Sequence, residues 1–464
     1  MSHAVSIRHW LEIVAFHSNK QRPKKFRPLY KRYVYGSNSN KTYSSGDEDE
    51  AEAPKPFANN VPIVRSIYVL TDAFFTGRVW PKSKFEKVDV LRCAIHGRNT
   101  DYEMVEEEVY EEVTDESHLL KLPVELIQYI LEILAATKLS PRFLRLNKMF
   151  YQICMPLIYE RPDISSHNFF KFVEAITNNK KLGGNVKVLD MRQIQQSSKN
   201  SFVSRLLRRC SSSLQSFTAP QTSFGYAPLV SLRHCHDLKV LDLRLVSETV
   251  DLKELFDAIK SAKHLTHLSF PRSSVQCNDY ENLWPPNLWY LRLSGGISDD
   301  FLYNSEFPGT IRKLEFSHCP YVTKSSIYHL LHKLGGKLTS LVIQYPMPGL
   351  GGSDMDMIFK YCPNLLSLEI TVDYVSKDLF EDYCLPLLRY PRPLKNIYIE
   401  SSGMIGQGDK LHPDDLTLAL IDDKLPCLLN VKINVKLGWN PESDDMEDLV
   451  GVLEERGGGV YMSW

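Results

Sequence analysis

The chain predicts an α/β solenoid in which about ten short parallel strands and their helices stack along one axis, behind a small three-helix segment and a largely irregular N-terminal region. Three observations carry this. The pattern apolar-x-x-apolar-x-apolar recurs ten times at intervals of 23 to 34 residues, starting at Val186, Leu214, Leu238, Leu265, Leu288, Ile311, Leu338, Leu365, Leu394 and Leu428. Between these blocks the apolar spacing changes from the strand period to the helix period. A separate apolar block, opening Leu122-Pro123-Val124-Glu125-Leu126, precedes them all.

Residues 1–117 are the least patterned. Lys20, Arg22, Lys24, Lys25, Arg27, Lys31 and Arg32 form a basic stretch, followed by Ser/Asn-rich sequence and by Asp47-Glu48-Asp49-Glu50. This composition fits a solvated linker; a nuclear-import signal or nucleic-acid patch is the alternative for the basic run. Around 60–95 the chain turns apolar again, at Ile63, Val64, Ile67, Tyr68 and Leu70 and later Val88, Val90 and Leu91, as for a small strand-rich subdomain or extra packing on the array. Asp101 to Glu116 then carries nine acidic residues and no basic one, the composition of a spacer.

Residues 118–164 form the second unit. Pro123 falls in the first turn of a helix, where a missing N–H costs nothing. Leu126, Ile127, Ile130, Leu131 and Leu134 then make that helix apolar on almost every side. Ser140-Pro141 starts the next segment, and Pro141 with Arg142 disturbs its periodicity, predicting a shortened or offset middle helix. Leu144, Leu146, Met149, Phe150, Ile153, Leu157 and Ile158 follow. So much apolar surface on about forty residues exceeds what the segment can bury within itself, and predicts docking.

Residues 165–464 form the array and its C-terminal cap. Leu252, Leu255, Phe256 and Ile259 stand at i, i+3, i+4 and i+7, and Ile327, Leu330, Leu331 and Leu334 repeat the spacing between Thr323 and Gly335-Gly336. Strand, loop and helix in each unit is the leucine-rich-repeat plan. Leu314-x-Phe316-x-x-Cys319-x-x-Val322-Thr323 resembles the cysteine-containing class of such repeats, as does Cys362-Pro363-Asn364-Leu365-x-x-Leu368. An ordinary parallel α/β sheet is the alternative. Met446, Leu449, Val452 and Leu453 give a last helix, Gly457 to Gly459 stop it, and Val460-x-Met462-x-Trp464 alternates as a closing strand.

Composition excludes several functions. With 55 Lys+Arg against 56 Asp+Glu, the formal net charge of −1 argues against wholesale binding of nucleic acid or membrane. No run approaches eighteen apolar residues, and Arg8, His9 and Glu12 interrupt the N-terminal segment, so neither a membrane span nor a signal peptide is expected. The nine cysteines are odd in number and never spaced C-x-x-C, which fits buried thiols in a reducing compartment, cytoplasm or nucleus, better than disulfides or zinc. Gly349-x-Gly351-Gly352 reads as a turn between units, His264 and His267 lack a third ligand, and no catalytic motif stands out. A non-catalytic chain without metal or cofactor is expected.

Leu122-Pro123-x-Glu125-Leu126, Ile130-Leu131-x-x-Leu134, Leu146-Asn147-Lys148-x-Phe150-Tyr151 and Pro156-Leu157-Ile158-Tyr159 together resemble an F-box, the segment by which substrate receptors attach to the Skp-family adaptor of SCF ubiquitin ligases. The alternative is a three-helix cap that only seals the start of the array. The resemblance implies a complex with that adaptor, a cullin and a RING subunit, a protein target held by the repeats, and adaptor contacts from Leu122, Pro123, Glu125, Leu126, Ile127, Ile130, Leu131, Leu134, Leu146, Asn147 and Phe150. A scaffold that ubiquitinates nothing, or a plain binding module, is the competing function.

For the target, the residues between and just after the ridge positions point away from the ridge, onto the concave face. In the third to sixth blocks these include Arg244, His267, Tyr290, Arg292, Lys313 and Glu315, against Asp190 earlier and Glu369 and Glu400 later. A basic middle predicts an acidic or phosphorylated target segment held by Arg244 and Arg292. The alternative is that these are ordinary strand charges, some paired with Asp242 and Glu315.

Overall fold

The structure is a computed structural model describing residues 67–69, 122–137, 139–195, 200–221, 224–275, 284–404, 406 and 410–463. The basic stretch at 20–32, the acidic run at 101–116 and most of 60–95 lie outside these residues, so their sequence readings stand as expectations.

The N-terminal elements are β1 (Ile67–Val69), α1 (Val124–Thr137), a single 3-10 turn (Pro141–Arg145) and α2 (Lys148–Glu160). Next come α3 (Phe169–Asn178), α4 (Lys180–Gly183), β2 (Val188–Asp190), α5 (Asn200–Cys210), β3 (Ser216–Thr218), α6 (Tyr226–Leu232), β4 (Val240–Asp242), β5 (Val250–Asp251), α7 (Leu252–Ile259), β6 (His267–Ser269) and β7 (Ser274–Val275). The second half holds β8 (Tyr290–Leu293), α8 (Asp299–Asn304), β9 (Lys313–Ser317), α9 (Lys324–Leu334), β10 (Ser340–Gln344), α10 (Ile358–Tyr361), β11 (Ser367–Thr371), β12 (Asn396–Glu400), α11 (Pro413–Ile421), β13 (Asn430–Asn434), α12 (Asp444–Glu455) and β14 (Gly459–Ser463).

Each of the ten apolar blocks carries one strand, and every strand begins two residues after the block does. Physical necessity sets this offset. The first, fourth and sixth residues of each block are the ridge, and all of them are at most 1 % exposed, from Val186, Leu189 and Met191 to Leu428, Val431 and Ile433. With β14 and β1 the strands form one sheet of twelve in the order β1-β14-β13-β12-β11-β10-β9-β8-β6-β4-β3-β2. All its pairings are parallel, and a ladder of facing residues runs from Leu189 through Phe217, Leu241, Leu268, Leu291, Leu314, Leu341, Leu368 and Ile397 to Val431 and Val460. A parallel strand needs a crossover before it can pair again, and the intervening helices and turns supply one each time.

The ridge and the inner faces of the helices, for example Leu255 and Phe256 of α7 and Ile327 and Leu330 of α9, share one continuous apolar core. Carboxylates tie several units to the next. Asp299 accepts hydrogen bonds from the Thr323 N–H and hydroxyl at 2.8 Å each, Asp356 does the same for Ser376 at 2.8 and 2.7 Å, and Asp373 for Ser402 at 3.1 and 2.6 Å. Each clamp satisfies a turn N–H that would otherwise lose its water on stacking.

At the far end, Met446, Leu449 and Leu453 of α12 are buried, and Gly457 ends that helix with φ +76°, a conformation glycine adopts without strain. The closing strand β14 is not the last of the sheet. β1, from near the N-terminus, pairs alongside it, Ile67 facing Val460 and Val69 facing Met462. No helix among the described residues is long and apolar enough to cross a membrane.

Candidate partner-docking site

At 100° per residue, α1 divides into three stripes. Ile127, Leu131 and Leu134 share one side, and Ile127 and Leu131 are each 2 % exposed in a small core with Phe150 and Cys154. Glu125, Gln128 and Glu132 form a polar stripe, in which the Gln128 amide donates to Glu132 at 2.9 Å. Leu126, Tyr129, Ile130 and Ile133 form the third. Leu126, Tyr129 and Ile133 are 49, 62 and 46 % exposed, and nothing among the described residues covers them.

The rest of the segment supports this helix. The 3-10 turn places Phe143 against Phe150, ring centroids 6.3 Å apart and nearly parallel. Asn147 caps α2, its side-chain carbonyl accepting the Phe150 N–H at 2.9 Å. The middle helix is thus reduced to one turn, as the Pro141-Arg142 interruption implies. Leu146, on the link between that turn and α2, is 60 % exposed, and Tyr151 and Val124 are exposed beside Leu126 in sequence or on the following helix.

The eleven residues assigned to adaptor contact from sequence therefore separate. Pro123, Glu125, Leu126, Leu146 and Asn147 are exposed and Ile130 is half-buried on the outer stripe. Ile127, Leu131 and Phe150 lie in the segment's own core, with Leu122 and Leu134 packed against it. Val124, Tyr129, Ile133 and Tyr151 were not singled out. The signal was present in the i, i+3, i+4, i+7 spacing of 126, 129, 130 and 133, hidden by an equally regular inner stripe.

On the sheet, the residues alternating with the ridge form a largely polar and aromatic face, interrupted by Val188, Val240 and Val342. Tyr290, Arg292 and Lys313 are buried there, at 7, 8 and 8 % exposure. Arg292 pairs with Glu315, its register partner on the next strand, at 3.1 Å, and donates to the Ser317 hydroxyl at 2.9 Å. The Tyr290 hydroxyl donates to the other Glu315 oxygen at 2.5 Å. Arg244 is held by Asp242 at 2.9 Å and reaches the Tyr290 hydroxyl at 3.4 Å. Lys313 lies over the Tyr290 ring at 5.3 Å, and the His267 Nδ1 sits 2.8 Å from the Thr266 hydroxyl. Burial lowers the His267 pKa, with Lys313 acting in the same direction. Arg292 is thus buried and engaged within the face by Glu315 and the Ser317 hydroxyl. Arg244 and His267 are only part-buried and keep surface toward solvent.

Further along the same face, loss of water pushes the Glu369 carboxyl up to about 7; the Gln344 amide, donating at 2.8 Å, opposes this, and Glu315 and Glu400 add to it. Burial pushes the Lys432 ammonium down to about 8 against the pull of Glu369 and Glu400, and Lys432 lies 4.1 Å from the centre of the Tyr398 ring. All seven cysteines among the described residues are unpaired thiols, six of them buried.

The described residues thus form a small helical domain with an outward apolar stripe, leading into a large parallel α/β array. Residues 119–197 match the COS11 F-box domain. Over 332 residues, 71 % of this chain and 70 % of the relative, the sequence is 51 % identical to F-box protein YDR306C of Saccharomyces cerevisiae. It is also 34 % identical over 323 residues, 69 % of this chain and 91 % of the relative, to Protein pof5 of Schizosaccharomyces pombe. The chain belongs to the F-box protein family. An F-box domain implies binding to a Skp1-type adaptor.

Proposed function

We propose that this chain is the substrate-recognition subunit of an SCF-type ubiquitin ligase. The outer stripe of α1, with Leu146, docks the Skp-family adaptor, and through it the cullin and RING subunits. The parallel array is read as a leucine-rich-repeat solenoid of about ten units, whose strand face, at Arg244 and His267 above the fixed Tyr290, Arg292 and Lys313 network, contacts a protein target. The chain supplies no chemical group and no cofactor to the reaction. It raises the target's effective concentration at a charged conjugating enzyme, in cytoplasm or nucleus.

The observation that carries this reading is the uncovered Leu126, Tyr129 and Ile133 stripe on a domain of the F-box family. Affinity purification of the full chain and of a Leu126→Asp, Ile133→Asp variant tests it. Adaptor and cullin co-purify with the wild type and are lost from the variant. Adaptor without cullin supports the scaffold reading instead, and retention of both by the variant overturns the assignment of the stripe.

A further inference from the structure

Helix α5 carries Arg205, Arg208 and Arg209 at i, i+3 and i+4 and no acidic residue. With Ser201 and Ser204, and with Ala227 of the adjacent α6, they line a groove of about 520 Å3. That is the size of a pocket for one bulky side chain or small ligand. Arg205 and Arg208 are exposed and Arg209 is half-buried. Among the described residues no carboxylate lies within ion-pair distance of these three, whereas Arg192, Arg233, Arg244 and Arg292 each have one. Three neighbouring guanidiniums repel one another, so an unneutralised cluster is a cost unless an anion relieves it.

The groove is also built rather than incidental. The buried Ser204 and Ser231 hydroxyls are 2.7 Å apart, and Arg208 Nε donates to the Ser231 hydroxyl at 3.3 Å. This fixes the arginine stem and leaves its terminal nitrogens without a protein acceptor among the described residues. At the rim, Arg205 lies 5.8 Å from the centre of the Phe202 ring, and Phe202 meets the 51 % exposed Phe170 edge-on at 5.6 Å. A basic groove beside an apolar shelf is the result.

Three guanidiniums outnumber the oxygens of a single carboxylate and match a phosphate dianion with three acceptor oxygens. The shelf then suits an apolar residue next to the phosphorylated one. A nucleic acid or a membrane would need a longer basic surface than one helix face offers. We propose that the groove between α5 and α6 binds a phosphoserine or phosphothreonine of a protein target, with an adjacent apolar residue lying on Phe202 and Phe170. This deepens the target-recruitment reading and rests on it for the origin of the ligand.

The test uses the full-length chain and a degenerate peptide library fixed at one central phosphoserine, with libraries centred on serine and glutamate as controls. Wild type is expected to retain the phosphoserine library at least tenfold better than either control, with enrichment of apolar residues beside the phosphate. Arg205→Ala, Arg209→Ala is expected to lose that preference while its thermal unfolding midpoint stays unchanged, and Arg205→Lys, Arg209→Lys to recover it only in part. Equal retention of all three libraries, or a preference that survives in the alanine variant, overturns the proposal. So does tighter capture of a single-stranded RNA or of phosphatidylserine vesicles at the same arginines. Leu126→Asp, Ile133→Asp serves as the separating control: it loses the adaptor yet keeps the phosphopeptide, so failure of the docking reading and failure of this groove give different results.

Discussion

The Lys187 N–H donates to the Glu160 carbonyl at 3.0 Å, and the same two residues pair through their side chains at 3.2 Å. Lys187 immediately precedes β2 and Glu160 ends α2, so the edge strand β2 is attached directly to the last helix of the F-box. Tyr159 reinforces the joint by stacking on Phe172 of α3, centroids 6.1 Å apart. Yet the two apolar cores are separate clusters. The contacts at this joint are then what couples the two cores in unfolding. Tyr159→Ala is expected to split thermal unfolding into two calorimetric transitions with adaptor affinity retained; a single transition shifted as a whole would show that the cores are energetically one.

The three stripes of α1 predict opposite phenotypes for neighbouring leucines. Leu131→Ala empties a buried site and is expected to cost about 2–5 kcal/mol of F-box stability. Leu126→Ala, at an exposed site, is expected to change stability by less than about 0.5 kcal/mol but to weaken adaptor binding by tenfold or more. Denaturant melts together with adaptor titration separate the two, and equal loss of stability in both variants would mean that the outer stripe packs within the chain.

The strand positions were legible in the sequence because a ridge buried at its first, fourth and sixth residues tolerates almost nothing but apolar side chains. Leu265, Leu268 and Phe270 illustrate it, each fully buried. The middle of the F-box was legible through Pro141, which cannot sit inside a regular helix without cost. Other features were legible only in part or not at all. The pairing of Ile67–Val69 with β14 joins segments far apart in the chain, and no local pattern encodes it. The chemistry of the strand face was half legible: the charges could be listed, and Glu315 could be named as a partner, but how fully Arg292 is withdrawn from solvent depends on its neighbours across the ladder. The arginine groove on α5 passed unnoticed because its significance lies in the carboxylates it lacks.

Glycines give a paired prediction about packing. A Cβ on Gly458, just before β14, would run into the Leu429 carbonyl, which cannot yield without breaking the β13 to β14 pairing. Gly451 lies inside α12 with no atom within 4 Å of where its Cβ would be. Gly458→Ala is expected to lower stability by about 2 kcal/mol or more, whereas Gly451→Ala is expected to raise it by about 0.5–1 kcal/mol through helix propensity. Chemical denaturation of both variants checks the register of the last two strands.

The strand face also predicts how stability follows pH. The Glu369 carboxyl is raised from 4.5 to about 7, so between those values the folded chain holds a proton that the unfolded chain has released. Its contribution is therefore fully present below pH 4.5 and is lost as pH rises through 7, a loss of about 3 kcal/mol. Lys432 acts in the other window. Its ammonium is lowered from 10.5 to about 8, so the penalty of burying its charge stands below pH 8 and is relieved as pH rises from there toward 10.5. Together the two groups predict lowest stability near pH 7 to 8. Glu369→Gln keeps an oxygen for the Gln344 amide while removing the titration, and is expected to flatten the fall between pH 5 and 7. Unfolding free energies of wild type and variant at pH 5, 6, 7 and 8 decide it: parallel curves would place the Glu369 carboxyl in contact with water and at its ordinary pKa.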